Sequence, residues 1–209
     1  MKTGVRRATR CMIFASVSSL VVLLSLTACS RSPTVEYYVL SPASNTRPPA
    51  NSAPTRLVAV AVPGLPSYVN QNEIVERLPK NTVQIHEYQR WATDLDDMLR
   101  DFFVAALQAR ISQFAFVSSD TTLAREAEQR WEGVFSRFDI HQGSQIELEL
   151  SWHLAQPGRQ SARLQNRITV VESLQDASVT TLVNTLTKAL EKISDEIAGQ
   201  LQREVLEVP

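Results

Sequence analysis

Gln145-Ile146-Glu147-Leu148-Glu149-Leu150-Ser151-Trp152-His153-Leu154 alternates polar and apolar residues without a break. Successive side chains of a strand point to opposite faces. The run therefore sets Ile146, Leu148, Leu150, Trp152 and Leu154 on one face, and Glu147, Glu149, Ser151 and His153 on the other. The first face belongs to a core; the second meets water or a partner. Trp131 to His141 reads as the preceding strand, with Gly143 in the intervening turn. Arg163 to Val171 reads as the following strand, after the turn Gln156-Pro157-Gly158-Arg159. Two short connections make the three strands an antiparallel meander.

Outward from the meander the period becomes helical. From about Val179 to Leu206, Leu182, Val183, Leu186, Leu190, Ile193, Ile197 and Leu201 form one apolar stripe. Between Thr93 and Ile111, Leu95, Met98, Leu99, Phe102, Phe103, Ala106 and Ile111 recur at helical spacing. Thr93 or Asp94 is placed to cap that helix, and Asp96 and Asp97 to oppose its dipole. Upstream, Val35 to Leu40 and Thr82 to His86 read as strands. The continuous apolar run Arg56 to Val62 reads as a central strand buried on both faces. Pro42 to Pro54 is a Pro-, Ser- and Asn-rich loop. The expected order is three strands, a helix, three strands and a helix. That is an α/β fold bordering on α+β: a single domain in which two main amphipathic helices pack on a mixed β-sheet ending in the meander.

The first residues have a different logic. Lys2, Arg6, Arg7 and Arg10 precede an uncharged apolar run, Cys11 to Leu26, that exits through Thr27 and Ala28 into Cys29. A positive start, an apolar segment and small residues are the parts of a secretory signal. The run is diluted by serines and shorter than the roughly 20 apolar residues of a membrane span. Leu26-Thr27-Ala28-Cys29 resembles the lipobox of bacterial lipoproteins, which implies cleavage after Ala28 and acylation of Cys29. In such proteins Ser30 after the cysteine implies sorting to the outer membrane, facing the periplasm. The organisation expected is a signal peptide over 1–28, a lipidated Cys29 with a short tether over 29–34, and one domain over 35–209. The six steps from Cys29 to Val35 reach roughly 20 Å at about 3.3–3.6 Å each, so the domain is expected close to the membrane.

Of 209 residues, 21 are Lys or Arg and 22 are Asp or Glu. Loss of the leader's four basic residues leaves 17 against 22, a formal charge of −5. An acidic domain of this kind has no electrostatic reason to bind nucleic acid. With Cys11 removed and Cys29 acylated, no disulfide is expected.

Catalytic patterns are absent from the sequence. There is no nucleophile elbow, phosphate loop or dinucleotide fingerprint. Glu147 and Glu149 share a strand face, but glycosidase carboxyls come from different elements across a cleft; solvation is the simpler reading. His86, His141 and His153 lie in separate elements and form no metal-ligand spacing. Asp94, Asp96, Asp97 and Asp101 belong to a helix start and its solvated face rather than to a calcium loop. Trp152 follows the apolar alternation into the core, and Trp131, at a strand start, is expected at an edge. Trp91, beside Arg90, is either a staple at the helix entrance or an interface hot spot.

Several segments in order carry a family resemblance. They are Tyr37-Tyr38-Val39-Leu40-Ser41-Pro42, Leu57 to Val62 with Pro63, Leu65-Pro66-Ser67-Tyr68-Val69, and Glu73-Ile74-Val75-Glu76-Arg77. Downstream follow Arg90-Trp91-Ala92-Thr93-Asp94-Leu95, Arg137-Phe138-Asp139 and Trp152. Together they resemble the ABC-type transport auxiliary lipoproteins, including those of the paraquat-inducible membrane system; Glu73 departs from the family's Gln. The resemblance implies a non-enzymatic outer-membrane lipoprotein with no cofactor beyond the lipid on Cys29. Its implied partner is an inner-membrane MCE-domain protein, with an ABC permease and ATPase, and a homo-oligomer is also implied. Leu65, Pro66, Tyr68, Arg90 and Trp91 are the candidate partner-binding residues. The alternative is a stand-alone lipoprotein that binds a lipid or small ligand, or that serves the envelope structurally.

Overall fold

The computed structural model describes residues 33–43, 56–156 and 165–207. The expected leader, Cys29, most of the Pro-rich loop and the turn at 157–159 lie outside these residues. From Val35 onward the chain forms one compact unit. Its strands are β1 (Glu36–Tyr38), β2 (Arg56–Val60), β3 (Glu73–Leu78), β4 (Thr82–Trp91), β5 (Phe114–Ser118), β6 (Gln129–His141), β7 (Gln145–Ala155) and β8 (Gln165–Ser173). The helices are α1 (Leu95–Arg110), before β5, and α2 (Val179–Glu207), after β8. The mixed sheet, the meander and the two helices are as expected. The number of strands is not: eight form where six were read. Glu73–Leu78 and Phe114–Ser118 are strands, and Thr82–His86 extends to Trp91.

The long strand β6 organises the sheet. Along one edge it pairs antiparallel with β7 from Arg130–Ala155 to His141–Gln145, and β7 pairs with β8. Three segments in succession share its other edge. Parallel β2 meets Gln129–Trp131, Gly64 bridges to Val134, and Arg77 of β3 meets His141. The sheet therefore forks. β2 leads to parallel β5 at one end, while β3 leads to antiparallel β4 and then parallel β1 at the other. The continuous apolar strand β2 lies between two parallel neighbours, as its composition demands.

Both helices cover the face that receives the apolar residues of β7. The α2 stripe is buried throughout, with Leu186, Leu190, Ile193 and Ile197 fully enclosed. Ser178 caps this helix: its Oγ accepts from Thr181 N at 3.2 Å. Asp94 precedes α1 without a side-chain cap bond, and Asp96 Oδ1 instead accepts from Asp97 N at 2.8 Å. Arg110 ties α1 to α2 through Asp195 at 2.6 Å.

The expectation that Trp131 lies at an edge is corrected. The strand begins two residues earlier, at Gln129, and Trp131 is wholly buried with its ring 5.1 Å from that of Phe103. Gly133, next on the same face, leaves the space the indole fills. A bulge at Ser136 then shifts the phase, so that Phe138 and Ile140 follow Trp131 and Phe135 into the core.

Candidate functional site

The face of the sheet away from the helices carries the polar chemistry. Register places Glu132 opposite His153, Arg137 opposite Glu149, and Asp139 opposite Glu147. Arg137 donates to Glu147 at 2.7 Å, Gln145 Nε2 donates to the same carboxylate at 2.5 Å, and Ser136 Oγ donates to Glu149 at 2.7 Å. His153 lies 3.1 Å from Glu132, and Arg167 on β8 lies 3.7 Å from Glu149. The Arg137 hydrogen bond holds the Glu147 carboxyl below its usual range despite some desolvation. Glu147 and Glu149 are thus members of an ion-pair lattice.

The loop after β2 joins this lattice. Gly64 donates to Gly133 O at 2.9 Å and accepts from Phe135 N at 2.8 Å, fastening the loop to β6. A Cβ on Gly64 would meet Val134 at 3.3 Å, so the small residue suits the close approach. Beyond it, Leu65 and Tyr68 rest partly buried against the core, and Pro66 is half-buried. The Tyr68 hydroxyl donates to Asp139 Oδ1, which also accepts from Arg77 at 3.0 Å. Burial, reinforced by the adjacent carboxylate, pushes the Tyr68 phenol up to about 12. Asp139 is buried and both its partners come from elsewhere in the chain, so this triad fixes the loop to the sheet.

The second candidate segment meets the same loop from the other side. Trp91 N donates to Asn72 O at 2.7 Å, and Arg90 pairs with Glu73 at 3.0 Å. Glu73 thus holds the neighbouring Arg through its charge. Trp91 itself is only 4% exposed and belongs to the core. Of its two readings the structural one fits, since an enclosed indole offers no surface to a partner. Leu65, Pro66, Tyr68 and Arg90 keep partial access to solvent.

Sequence spacing missed one convergence. Asp139, His141 and Glu147 bring ligand-type atoms within 4.8 Å of one another across the β6–β7 hairpin. Arg77 and Arg137 already balance the two carboxylates, and the arrangement reads as an extension of the lattice. Aspartates of α1 are likewise engaged: Asp97 and Asp101, with Asp120 from the turn after β5, surround the buried Arg100 at 2.7, 3.1 and 3.4 Å. A groove of about 630 Å³ between β8 and α2 is lined by Arg167, Ile168, Val170, Lys192, Glu196 and Arg203, among others.

No protein of curated function matches this chain. Among solved structures, protein XCC0632 from Xanthomonas campestris is 18% identical, with a TM-score of 0.64 over 81% of this chain and 99% of that one. An uncharacterized protein is 19% identical, with a TM-score of 0.67 and the same coverage. Both share the fold. The sequence model described as the ABC-type transport auxiliary lipoprotein component matches residues 38–198. The chain therefore belongs to that family, a family of transport accessories and not of enzymes.

Proposed function

We propose that this chain is exported, acylated on Cys29 and held at the outer membrane, where it is a non-enzymatic docking component for an inner-membrane MCE-domain protein. That partner, with its ABC permease and ATPase, moves lipid between the membranes. Membership of a transport auxiliary lipoprotein family carries the coarser half of this reading: an envelope-facing, membrane-associated protein with partners in a transport system. The finer half is supported by the outer sheet face. A rigid lattice of ion pairs around Tyr68, Asp139 and Arg77 presents partly exposed side chains at fixed positions, which suits docking of a partner. The groove between β8 and α2 has Lys192, Asp195, Glu196 and Arg203 along its wall, unlike the mainly apolar lining of a lipid pocket. It lends little support to the stand-alone lipid-binding reading.

Affinity purification in mild detergent tests the proposal. An acylated Cys29 and a co-purified MCE-domain protein are expected. Leu65→Ala, Tyr68→Phe and Arg90→Ala should each lower recovery of that partner while leaving folding intact. Undiminished recovery in all three would remove this loop and corner from the interface. Trp91→Ala is unsuited to this test. Emptying a buried indole site costs about 3–5 kcal/mol, a large share of a domain's stability, so lost recovery would not separate docking from folding.

A further inference from the structure

The same outer face changes character toward β4. Tyr37, Val39, Val83, Ile85 and Tyr88 are between 41 and 66% exposed. Register puts Tyr37 beside Arg90 and Glu73, Ile85 opposite Val75, and Val83 opposite Arg77, so Tyr37, Ile85 and Val83 share one side. Isolated apolar residues on a surface need no explanation, but four on two neighbouring strands, with Val39 just beyond β1, do. Among the described residues, β1 covers β4 only from Gln89 to Trp91, which leaves Thr82 to Tyr88 as an open sheet edge. The β3–β4 hairpin pairs with β6 at one register position, Arg77–His141, and at its tip Lys80 and Asn81 are exposed with φ of 64° and 60°.

The chain's direction into the sheet says what covers this strip. β1 runs parallel to β4 with Glu36 opposite Gln89. The chain therefore enters β1 from the side of β4 on which Tyr88, Ile85 and Val83 lie. Cys29 is seven steps before Glu36, a reach of about 25 Å at most. Val83 is six steps before Gln89, about 20 Å along the strand. A lipid on Cys29 could consequently lie no farther than about 25 Å from Glu36, the residue next to Tyr37 of the strip.

We propose that Tyr37, Val39, Val83, Ile85 and Tyr88 form a membrane foot, seated on the lipid surface that receives the Cys29 anchor. This inference rests on the acylation of Cys29 proposed above. The side-chain chemistry suits the interface: tyrosines place an apolar ring in lipid and a hydroxyl in the headgroup zone, and Lys80 can reach a headgroup phosphate from the hairpin tip. Glu36 and Glu87 stand among these residues, so the foot matches a predominantly zwitterionic surface better than a strongly anionic one. Seated in this way, the domain would have a fixed orientation instead of swinging on its tether.

Site-directed fluorescence on the full-length lipoprotein tests this. Cys11 leaves with the leader and Cys29 is acylated, so an introduced cysteine is the only free thiol. Ile85→Cys, Tyr88→Cys and, as controls, Val134→Cys and Val171→Cys would carry an environment-sensitive dye. Each protein would be reconstituted in phosphatidylethanolamine-rich vesicles containing doxyl-labelled lipid. The expected result is blue-shifted emission at positions 85 and 88, quenched by doxyl lipid several-fold more than at 134 and 171. Equal, solvent-like emission at all four positions overturns the proposal. So does a dye at 85 that is shielded from both doxyl lipid and aqueous iodide, since that assigns the strip to a protein neighbour. Intact mass of the same preparations separates the two readings. An acylated Cys29 with a solvent-exposed position 85 rejects only the foot, whereas an unmodified Cys29 rejects the anchor and the foot together.

Discussion

Gly133→Ala tests the packing on which the whole sheet depends. A methyl group at this position would lie 2.6 Å from Trp131 Cη2, 3.1 Å from Cζ2 and 3.2 Å from Leu150 Cδ1. Carbon atoms are comfortable at about 3.5–4.0 Å, so the indole or the strand must move by roughly 1 Å. Neither has room: Trp131 is wholly buried against Phe103, and β6 is paired on both edges here. Overpacking of this kind costs about 1–3 kcal/mol. Removing glycine from a strand interior returns roughly 0.5–1 kcal/mol, which, with overpacking of about 2–2.5 kcal/mol for so short a contact, leaves a net loss of about 1–2 kcal/mol. In a domain of this size that lowers Tm by roughly 2–8 °C, measurable with urea and thermal melts followed by Trp fluorescence. Trp131→Phe shortens the ring and should relieve much of the clash, so the two changes combined cost less than their sum by about 1 kcal/mol. A Gly133→Ala protein within about 0.5 kcal/mol of the parent, or one equally destabilised in both backgrounds, would refute the argument that the indole occupies the glycine's space.

Titration gives further checks. The Tyr68 phenol is raised to about 12, so below its ordinary value of 10 it is protonated in both folded and unfolded chains. Between these values the unfolded chain ionises first and stability falls as pH rises; Tyr68→Phe should flatten that alkaline loss. Glu147 has the opposite sign. Its carboxyl is held low by Arg137, so its contribution is present above the usual carboxylate range and is lost as pH falls through the depressed value. Glu147→Gln should therefore show a shallower acid limb in urea midpoints, and an unchanged limb would remove the Arg137 pair from the stability account. Arg100→Gln leaves Asp97, Asp101 and Asp120 facing one another without their shared cation. It should lower stability by about 1 kcal/mol, read from urea midpoints at neutral pH, because solvent screens carboxylates this exposed.

Legibility in the sequence follows the range of the interactions involved. The β7 alternation and the α2 stripe record contacts of each element with a single core, and both could be read residue by residue. β6 could be read only in outline. Its core positions include a glycine, and a bulge at Ser136 changes the parity halfway, so the local pattern does not place Trp131 in the core. β5 is five residues long and pairs parallel with β2 across more than fifty residues, a connection that leaves no local signature. The same holds for the site. Leu65 to Tyr68 and Arg90-Trp91 were singled out separately through family resemblance, and only the Trp91–Asn72 and Arg90–Glu73 contacts reveal them as one corner. Arg77 and Asp139, 62 positions apart, meet because β3 touches β6 at a single bridge.

The exposed charges of the outer face bear on how a partner could be recognised there. Arg77, Arg130, Arg137 and Arg167 stand against Glu132, Asp139, Glu147 and Glu149, and each cation lies within 4 Å of one of these carboxylates. Equal numbers of interleaved charges leave little net field, so long-range steering contributes little to encounter on this surface. Concentration must then come from elsewhere, and the lipid anchor proposed on Cys29 would supply it by confining this domain to a thin layer at the outer membrane, where the partner's far end arrives. Specificity would rest on the fixed pattern of the pairs and on Val134 and Val171, the two well-exposed apolar side chains among them. A neutral, rigid, patterned face is suited to a partner that arrives in one orientation. The apolar strip on β4, if seated on lipid, would impose that orientation on this domain.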